Sequence, residues 1–398
     1  MSEGSIAWLL ISSALVLFMT PGLALFYGGM VRSKNVLNML MKNFFTISIV
    51  TVVWTVVGYT LAFGSDLGGL IGGLDFFALR GVEGDSLLFM VFQMMFAIIT
   101  PALISGAVAE RMKFSAWVLF TTLWALIIYP IVAHWGFAAE GWLFAWGVRD
   151  FAGGLVVHIN AGIAALALVF ALGPRRGFGA EAMRPHSLPL TLLGTGILWF
   201  GWFGFNAGSA LAADGIAISA FVTTQIAASV AALSWVVAEW MKNGKPTTLG
   251  AASGAVAGLV AITPGAGFVS PMSAIVIGAA AGYLCFLAVS LKFRFGYDDS
   301  LDVVGVHLVG GIVGSVLLGV FAESRINSVV PDGLLFGGAN FFFKQVAAVL
   351  VVIAFTFIAS YLLARIVKAI TGLRVEENQE TEGLDISLHE ERGYVFSE

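Results

Sequence analysis

Long apolar runs recur along almost the whole chain and alternate with short polar stretches. Most runs are close to the roughly 20 residues that an α-helix needs to cross a bilayer. The pattern predicts eleven membrane-spanning helices, at residues 6–30, 43–63, 87–109, 115–133, 151–172, 188–210, 217–240, 248–264, 272–291, 301–321 and 340–366. We therefore expect an all-α membrane protein with a transmembrane domain over residues 1–372 and a polar tail over residues 373–398.

The composition supports this interpretation. Of the 398 residues, 59% are hydrophobic and only 11% are charged, whereas soluble domains carry roughly 25% charged residues. The single cysteine, Cys285, excludes an internal disulfide framework. The first apolar run lacks a preceding basic segment and is longer than the core of a signal peptide, so we expect it to be a span of the mature protein. The loops leave no room for a soluble catalytic domain.

The distribution of positive charge predicts the orientation in the membrane. Sixteen of the 20 Lys and Arg residues fall in alternate loops and in the C-terminal tail. Because loops rich in Lys and Arg remain in the cytoplasm, the N-terminus is expected outside and the C-terminus inside, which requires an odd number of spans. The expected location is a plasma membrane, such as a bacterial inner membrane. The net charge of −4 gives no indication of nucleic-acid binding.

Two of the apolar runs contain a histidine in the same local pattern. His158 and His307 each follow a valine and are followed by Gly-Ile at the fourth and fifth positions. They lie in the fifth and tenth spans, which are equivalent if spans 1–5 and 6–10 are two repeats. Since each repeat has an odd number of spans, the second crosses the membrane in the opposite direction, as in many transporters. We predict an inverted five-plus-five repeat with one extra helix.

Three interpretations of the paired histidines remain open. They could be core residues that tie helices together, ligands of a metal ion, or the lining of a conduction path, since ionisable groups within membranes often mark pathways. A metal would require further ligands such as carboxylate or thiolate, yet the neighbours at this depth are Asn160 and small apolar residues. No metal or other cofactor is therefore expected. The equivalent placement of the two histidines favours a conduction path.

Several longer motifs resemble those of the ammonium transporter (Amt/Mep/Rh) family, and its Amt branch more than its Rhesus branch. DFAGGLVVHINAG (150–162) and DVVGVHLVGG (302–311) are similar to the segments that carry its twin histidines. PGLALFYGG (21–29), ERMKFSA (110–116) and GWFGFNAGSA (201–210) also match, in the family's order. The resemblance implies an ammonium transporter rather than an enzyme, with eleven spans and an inverted repeat, assembled in the lipid bilayer as a homotrimer with one pore per subunit.

The resemblance also assigns roles to individual residues of the pore. His158 and His307 match the histidines that line it, and Phe96 and Phe205 match the two phenylalanines that gate it. Outside the gate, the family has a vestibule in which aromatic rings and a serine hydroxyl bind ammonium.

Phe96 and Ser209 match two of the vestibule positions. The remaining ring is either Phe137, which the register favours, or Trp135. Phenylalanine is the weaker cation–π partner of the two.

An aspartate precedes each of the two histidine helices. Asp150 and Asp302 both stand where a carboxylate would cap the first turn of a helix. By resemblance, Asp150 is a structural and electrostatic element near the vestibule and not a direct ligand of the cation. We expect Asp302 to cap its helix in the same way.

An apolar pore with neutral histidines suits ammonia better than a bare cation. Burying an unpaired ion costs tens of kcal/mol in the Born limit, and each cation–π contact returns about 0.5–2 kcal/mol. Loss of a proton at the mouth removes most of that cost, whereas potassium has no proton to lose. The imidazoles could relay the proton, giving net ammonium transport, or the proton could stay outside, giving an electroneutral ammonia channel. Because histidine titrates near neutral pH, net transport is favoured.

The tail after Gly372 is polar, a composition typical of a disordered solvated end. It nevertheless resembles the family's cytoplasmic tail, which contacts the neighbouring subunit and helps a PII-type signalling protein to block the pore. Gly372, Arg374, Gly383, Leu384 and Asp385 carry that match. A PII-type protein is thus an expected partner.

Two other classes of function stay open. An ammonium sensor would share the fold and report through the tail while transporting little, and the short tail disfavours it. A membrane enzyme with a di-histidine metal centre lacks the additional ligands. No P-loop occurs, so direct coupling to ATP is not expected.

Overall fold

The structure is a computed structural model that describes residues 1–394, so the last four residues of the predicted tail lie outside the described residues. Helices occur at all eleven positions that the apolar runs predict. We label them α1 to α11: Glu3–Met30, Ser33–Phe63, Gly84–Val108, Phe114–Phe137, Gly154–Leu172, Leu188–Gly208, Gly215–Asn243, Thr248–Ile262, Pro271–Ala288, Val304–Phe321 and Ala339–Thr371. Ten of them contain a segment long and apolar enough to cross a membrane, while α8 is shorter. The chain is a multi-pass helical membrane protein.

Helix α2 begins well before the apolar run that predicts it. Its first backbone N–H groups need acceptors, and Asp385 in the tail supplies them by accepting from Leu37 at 3.0 Å and Asn38 at 2.8 Å. Hydropathy could not reveal a start that is capped from 348 positions away.

Because α2 begins early, it includes Lys42, which the count of positive charges assigned to a loop. It is buried within α2, and its Nζ has no hydrogen-bond partner among the described residues.

The two histidine helices, α5 and α10, cross at close range through reciprocal contacts. A Cβ at Gly162 of α5 would lie 2.5 Å from the backbone nitrogen of Leu308 in α10. A Cβ at Gly311 of α10 would lie 3.1 Å from the backbone nitrogen of Ile159 in α5. Each glycine follows the histidine of its own helix by four residues. Each approaches the residue that comes directly after the histidine of the other helix. Such reciprocity is expected of two segments related by a local two-fold axis, as in an inverted repeat.

Both helices open with a π-helical turn, at Gly154–Ile159 and at Val304–Leu308. Each of these turns contains the histidine. A π-helical turn inserts an extra residue into the hydrogen-bonding ladder and is frequently found at functional sites. The local backbone therefore marks the same two positions that the sequence pattern selects.

The described part of the tail is folded against the helical bundle. The Val375 N–H donates to the carbonyl of Arg111 at 3.0 Å. Arg111 lies in the connection between α3 and α4. Two short helices follow, α12 at Glu377–Glu382 and α13 at Leu384–His389. This segment is therefore not the disordered end that its polar composition alone would suggest.

The two ends of the described chain lie at opposite ends of the bundle. The N-terminal amine pairs with Asp85 at the start of α3, whereas Lys113, just before α4, donates to the carbonyl of Leu373 just after α11. We expect reporter fusions before residue 2 and after residue 398 to lie on opposite sides of the membrane. Accessibility of the two reporters to a membrane-impermeant label measures this. Labelling of both from the same side would contradict the eleven-span topology and the inverted repeat.

Candidate functional site

His158 and His307 meet in the interior of the bundle. Their Nδ1 atoms are 3.4 Å apart, and their ring centroids are 5.4 Å apart with 21° between the ring planes. Both side chains are buried. If the pair is neutral, one Nδ1 can donate a proton towards the other. The first ring then has an acceptor at Nε2 and the second has a donor, so the pair offers both functions to a passing molecule.

A narrow apolar cavity of about 10 Å³ lies beside the two rings, which is room for roughly one water-sized molecule. His158 stacks on Trp202 with ring centroids 5.4 Å apart, and the Trp202 indole donates to Thr263 Oγ1 at 2.9 Å. The Nε2 of His158 is buried without a hydrogen-bond partner among residues 1–394. An unsatisfied ring nitrogen beside such a cavity can bind a small polar molecule.

His134 shows how a buried structural histidine differs. Its Nδ1 lies 2.8 Å from the carbonyl of Ala62 and its Nε2 lies 2.9 Å from Oδ1 of Asp66. Both ring nitrogens are therefore occupied by the protein itself. The paired histidines lack this arrangement, because one nitrogen of His158 is left without a protein partner among the described residues.

Phe96 and Phe205 pack against each other next to the histidines, with 35° between their ring planes. Their ring centroids are 4.3 Å apart and both side chains are buried. The centroid of Phe205 is 5.9 Å from that of His158. Phe205 lines the small cavity beside the histidines, and Phe96 lines a larger cavity on the other side. The two rings thus separate the two cavities.

The larger cavity, which we call the vestibule, has a volume of about 330 Å³. Ser209 lines it, although its hydroxyl already donates to the carbonyl of Phe205 at 2.8 Å and can act towards a ligand as an acceptor. The aromatic lining consists of phenylalanine rings, at Phe89, Phe92, Phe96, Phe137, Phe144, Phe151 and Phe268.

Trp135 is directed away from the vestibule and does not line it. Its ring packs on Phe355 with centroids 4.7 Å apart, and its indole N–H donates to the carbonyl of Leu70 at 2.9 Å. The structure therefore brings Phe137, and not Trp135, into the vestibule together with Phe96 and Ser209.

Asp150 lies between the vestibule and the start of α5. Its carboxylate accepts four backbone N–H groups, from Gly153, Gly154, Leu155 and Val156, at 2.7 to 3.1 Å. These are the donors that the first turn of a helix leaves without partners. The carboxylate fixes the turn that leads to His158.

The prediction that Asp302 caps α10 is wrong. Asp302 has φ of 63°, in the left-handed region, and its carboxylate pairs with Lys292 at 2.6 Å. The cap comes from Asp299, which accepts from the backbone N–H of Val304 at 2.7 Å. Burial raises the pKa of Asp299 to about 6.

Spacing from the histidine would have identified Asp299. It precedes His307 by eight residues, as Asp150 precedes His158. Asp302 instead corresponds to Gly153, five residues before its histidine, and Gly153 also has a positive φ, of 117°. Both helix starts thus use one aspartate as a cap and one left-handed residue three positions later.

The tail residues matched by the family motif make specific contacts. Arg374 pairs with Glu380 at 2.7 Å and donates to the carbonyl of Pro174 at 2.6 Å, which joins the tail to the loop after α5. Gly372 and Gly383 have positive φ, of 69° and 115°, at the ends of α11 and α12. Each glycine allows a chain reversal that a Cβ would strain.

Leu384 and Asp385 attach the tail to the start of α2. The Leu384 N–H donates to Oδ1 of Asn35 at 2.9 Å, next to the Asp385 cap described above. Burial raises the pKa of Asp385 above its ordinary value. All five matched tail residues thus lie in a segment that is docked on its own chain.

The chain is similar to known proteins along almost its whole length. The profile of the Ammonium Transporter Family matches residues 7–394. The chain is 50% identical to a protein of Mycobacterium tuberculosis named "Ammonium transporter", over 99% of this chain and 91% of that protein. It is 48% identical to "Ammonium transporter Amt1" of Archaeoglobus fulgidus, over 99% of this chain and 100% of that protein.

Solved structures show the same similarity. Mep2 of Saccharomyces cerevisiae superposes with a TM-score of 0.88 at 36% identity and covers 95% of this chain and 91% of its own. A structure named "Sensor Amt Protein" superposes with a TM-score of 0.90 at 30% identity and covers 97% and 98% of the two chains. From the profile match and the sequence identities, this chain belongs to the ammonium transporter family.

Proposed function

We propose that this chain moves ammonium across the membrane by binding the cation in the vestibule, removing one proton, and passing ammonia along the paired histidines. The observation that carries the proposal is the buried imidazole pair beside a cavity of about 10 Å³, with the Phe96 and Phe205 rings packed together at one end of it. A cavity of this size and apolarity suits a small neutral molecule. A hydrated cation is too large for it, and a bare cation would lose its solvation without adequate replacement.

The vestibule supplies the first step. Several phenylalanine faces and the Ser209 oxygen can contact ammonium there, and each cation–π contact is worth about 0.5–2 kcal/mol. Such contacts hold a partly hydrated cation weakly at the mouth and cannot carry it through the gate. The proton must therefore leave near Phe96, and the uncharged product continues.

The histidine pair supplies the second step. Ammonia has one lone pair and three N–H groups, so it can accept from one Nε2 and donate to the other. The relay balances if the unprotonated Nε2 of one ring takes up the released proton, the Nδ1–H of that ring passes to the Nδ1 of the other ring, and the Nε2–H of the second ring is released on the far side. Charge then crosses together with ammonia. We infer net ammonium transport because the Nδ1 atoms of His158 and His307 face each other at 3.4 Å.

A current measurement on the purified protein in a planar or supported bilayer tests the proposal. An ammonium gradient is expected to drive a current, and an equal potassium gradient is expected to drive none, because potassium has no proton to release. Uptake of ammonia without current would refute the proton relay and favour an ammonia channel. Absence of both current and uptake would refute transport. It would favour a sensor, the function for which one of the similar structures is named.

We further propose that the protein works as a homotrimer in a plasma membrane, such as a bacterial inner membrane, and that a PII-type protein binds its tail side. The homotrimer and, second, the PII-type partner both follow from the family resemblance. The docked segment around Arg374 and Asp385 supports the second, because it presents an ordered surface on the side of the bundle opposite the vestibule.

A further inference from the structure

Arg149 places a fixed positive charge at the wall of the vestibule. Its Nε donates to the carbonyl of Val329 at 2.8 Å, and its Nη1 donates to the carbonyls of Phe144 and Val148 at 2.9 and 2.8 Å. Gln345 of α11 holds the backbone through two hydrogen bonds, at 3.0 and 2.8 Å. The guanidinium is therefore held in place by several contacts.

This charge is not neutralised locally. Among the described residues, no carboxylate forms an ion pair with Arg149, whereas Lys292 and Arg374 each pair with one carboxylate and Arg175 pairs with two. The neighbouring Asp150 also lines the vestibule, but its carboxylate already accepts four backbone N–H groups. Its negative charge is thus partly balanced by the partial positive charge, roughly +0.5, at the N-terminus of α5. Arg149 leaves an excess of positive potential where the cation has to bind.

Arg149 also occupies an aromatic face. Its guanidinium carbon lies 4.1 Å from the centroid of the Phe144 ring, a cation–π contact. Phe144 is one of the phenylalanines that line the vestibule. The arginine therefore uses one of the ring faces that an incoming ammonium ion would otherwise contact.

We propose that Arg149 lowers the affinity of the vestibule for ammonium and so sets the concentration range in which the protein transports, an inference that rests on the proposed function. A cavity of about 330 Å³ is small enough that a bound cation lies within about 10 Å of its wall. At such a distance, two unit charges repel enough to change a binding constant about three- to thirty-fold, depending on the local dielectric. The residue acts on binding of the cation and not on passage of ammonia through the gate.

The test compares three variants of the full-length protein in bilayers. Arg149→Gln removes the charge, Arg149→Lys keeps it, and Lys344→Gln removes a similar charge outside the vestibule. Lys344 is a matched control because it makes the same two kinds of contact as Arg149. Its Nζ donates to the Trp146 carbonyl at 2.8 Å and lies over the Trp146 ring. Trp146 belongs to the same short helix, Trp142–Trp146, as Phe144. The measured quantity is the half-saturating ammonium concentration, read as current or as uptake into vesicles.

We expect this concentration to fall about three- to thirty-fold in Arg149→Gln, to fall clearly less in Arg149→Lys, which keeps the charge, and to stay unchanged in Lys344→Gln. Raising the ionic strength from about 0.01 M to about 1 M shortens the Debye length from about 30 Å to about 3 Å. If the added salt has a bulky cation, the higher ionic strength should lower the half-saturating ammonium concentration of the unaltered protein. The half-saturating concentration of Arg149→Gln should stay nearly constant.

Three outcomes would overturn the inference. An unchanged value in Arg149→Gln would show that the charge does not act on the cation. An equal fall in Arg149→Lys would mean that disturbance of the loop, and not the charge, is responsible. An equal fall in Lys344→Gln would assign the effect to surface charge in general. Absence of all transport in the unaltered protein would refute the proposed function itself, which distinguishes the two failures.

Discussion

Replacement of both His158 and His307 by alanine is expected to abolish the ammonium-dependent current, although it widens the pore. Loss of the imidazoles removes the only pair of buried ring nitrogens that face each other in the described structure, at 3.4 Å, and with it the proposed proton relay. The measurement is current in a bilayer at equal protein density, together with ammonia uptake. Residual uptake without current is the expected pattern, because an uncharged molecule still fits the widened cavity.

A matched control separates this effect from loss of stability. His134 is equally buried, and both of its ring nitrogens are bonded to the protein. Its replacement by alanine should lower the thermal unfolding midpoint and leave the current per folded protein unchanged. Full current and full discrimination against potassium in a correctly assembled double-alanine protein would show that the paired histidines are structural.

Acidic replacements at the same positions test the reason for selectivity. A carboxylate at either His158 or His307 places a fixed negative charge in the pore, which can accompany a bare cation. We therefore expect such variants to keep part of the ammonium transport and to conduct potassium measurably. In the proposed mechanism the unaltered protein is selective because ammonium loses a proton before it enters the pore, so selectivity should weaken once a cation can pass without losing one.

The helices could be predicted because the bilayer allows few solutions. A chain within lipid must satisfy its backbone hydrogen bonds internally, so each apolar run of sufficient length indicates a helix. All eleven expected positions are helical in the structure. The start of α2 could not be predicted in this way, since the tail residue Asp385 caps it.

The candidate site was predictable only where the chain repeats a pattern or matches a long motif. In the structure the two histidines face each other, Phe96 and Phe205 pack together, and Phe137 lines the vestibule. The cap of α10 was missed because left-handed backbone at Asp302 turns its side chain towards Lys292. Arg149 was missed because only tertiary contacts bring a guanidinium to the vestibule wall.

Truncation of Phe205 to alanine is expected to open the partition between the vestibule and the histidine cavity. The centroid of the Phe205 ring lies 4.3 Å from that of Phe96, and Phe205 lines the histidine cavity. Its loss should join a space of about 330 Å³ to one of about 10 Å³ through a gap the size of a benzene ring. Water and potassium would then reach the histidines, so we expect a potassium or water permeability that the unaltered protein lacks.

Phe120→Ala provides the control for this prediction. Phe120, in α4, is as fully buried as Phe205 but lines neither cavity. Both truncations should reduce the free energy of unfolding by about 3–5 kcal/mol, the usual cost of removing a buried phenylalanine ring. Only the Phe205 variant should change permeability, which we would measure as potassium current and osmotic water flux in proteoliposomes. If Phe205→Ala loses stability yet keeps its rate and its discrimination against potassium, then Phe205 is a core residue and the gate must lie elsewhere.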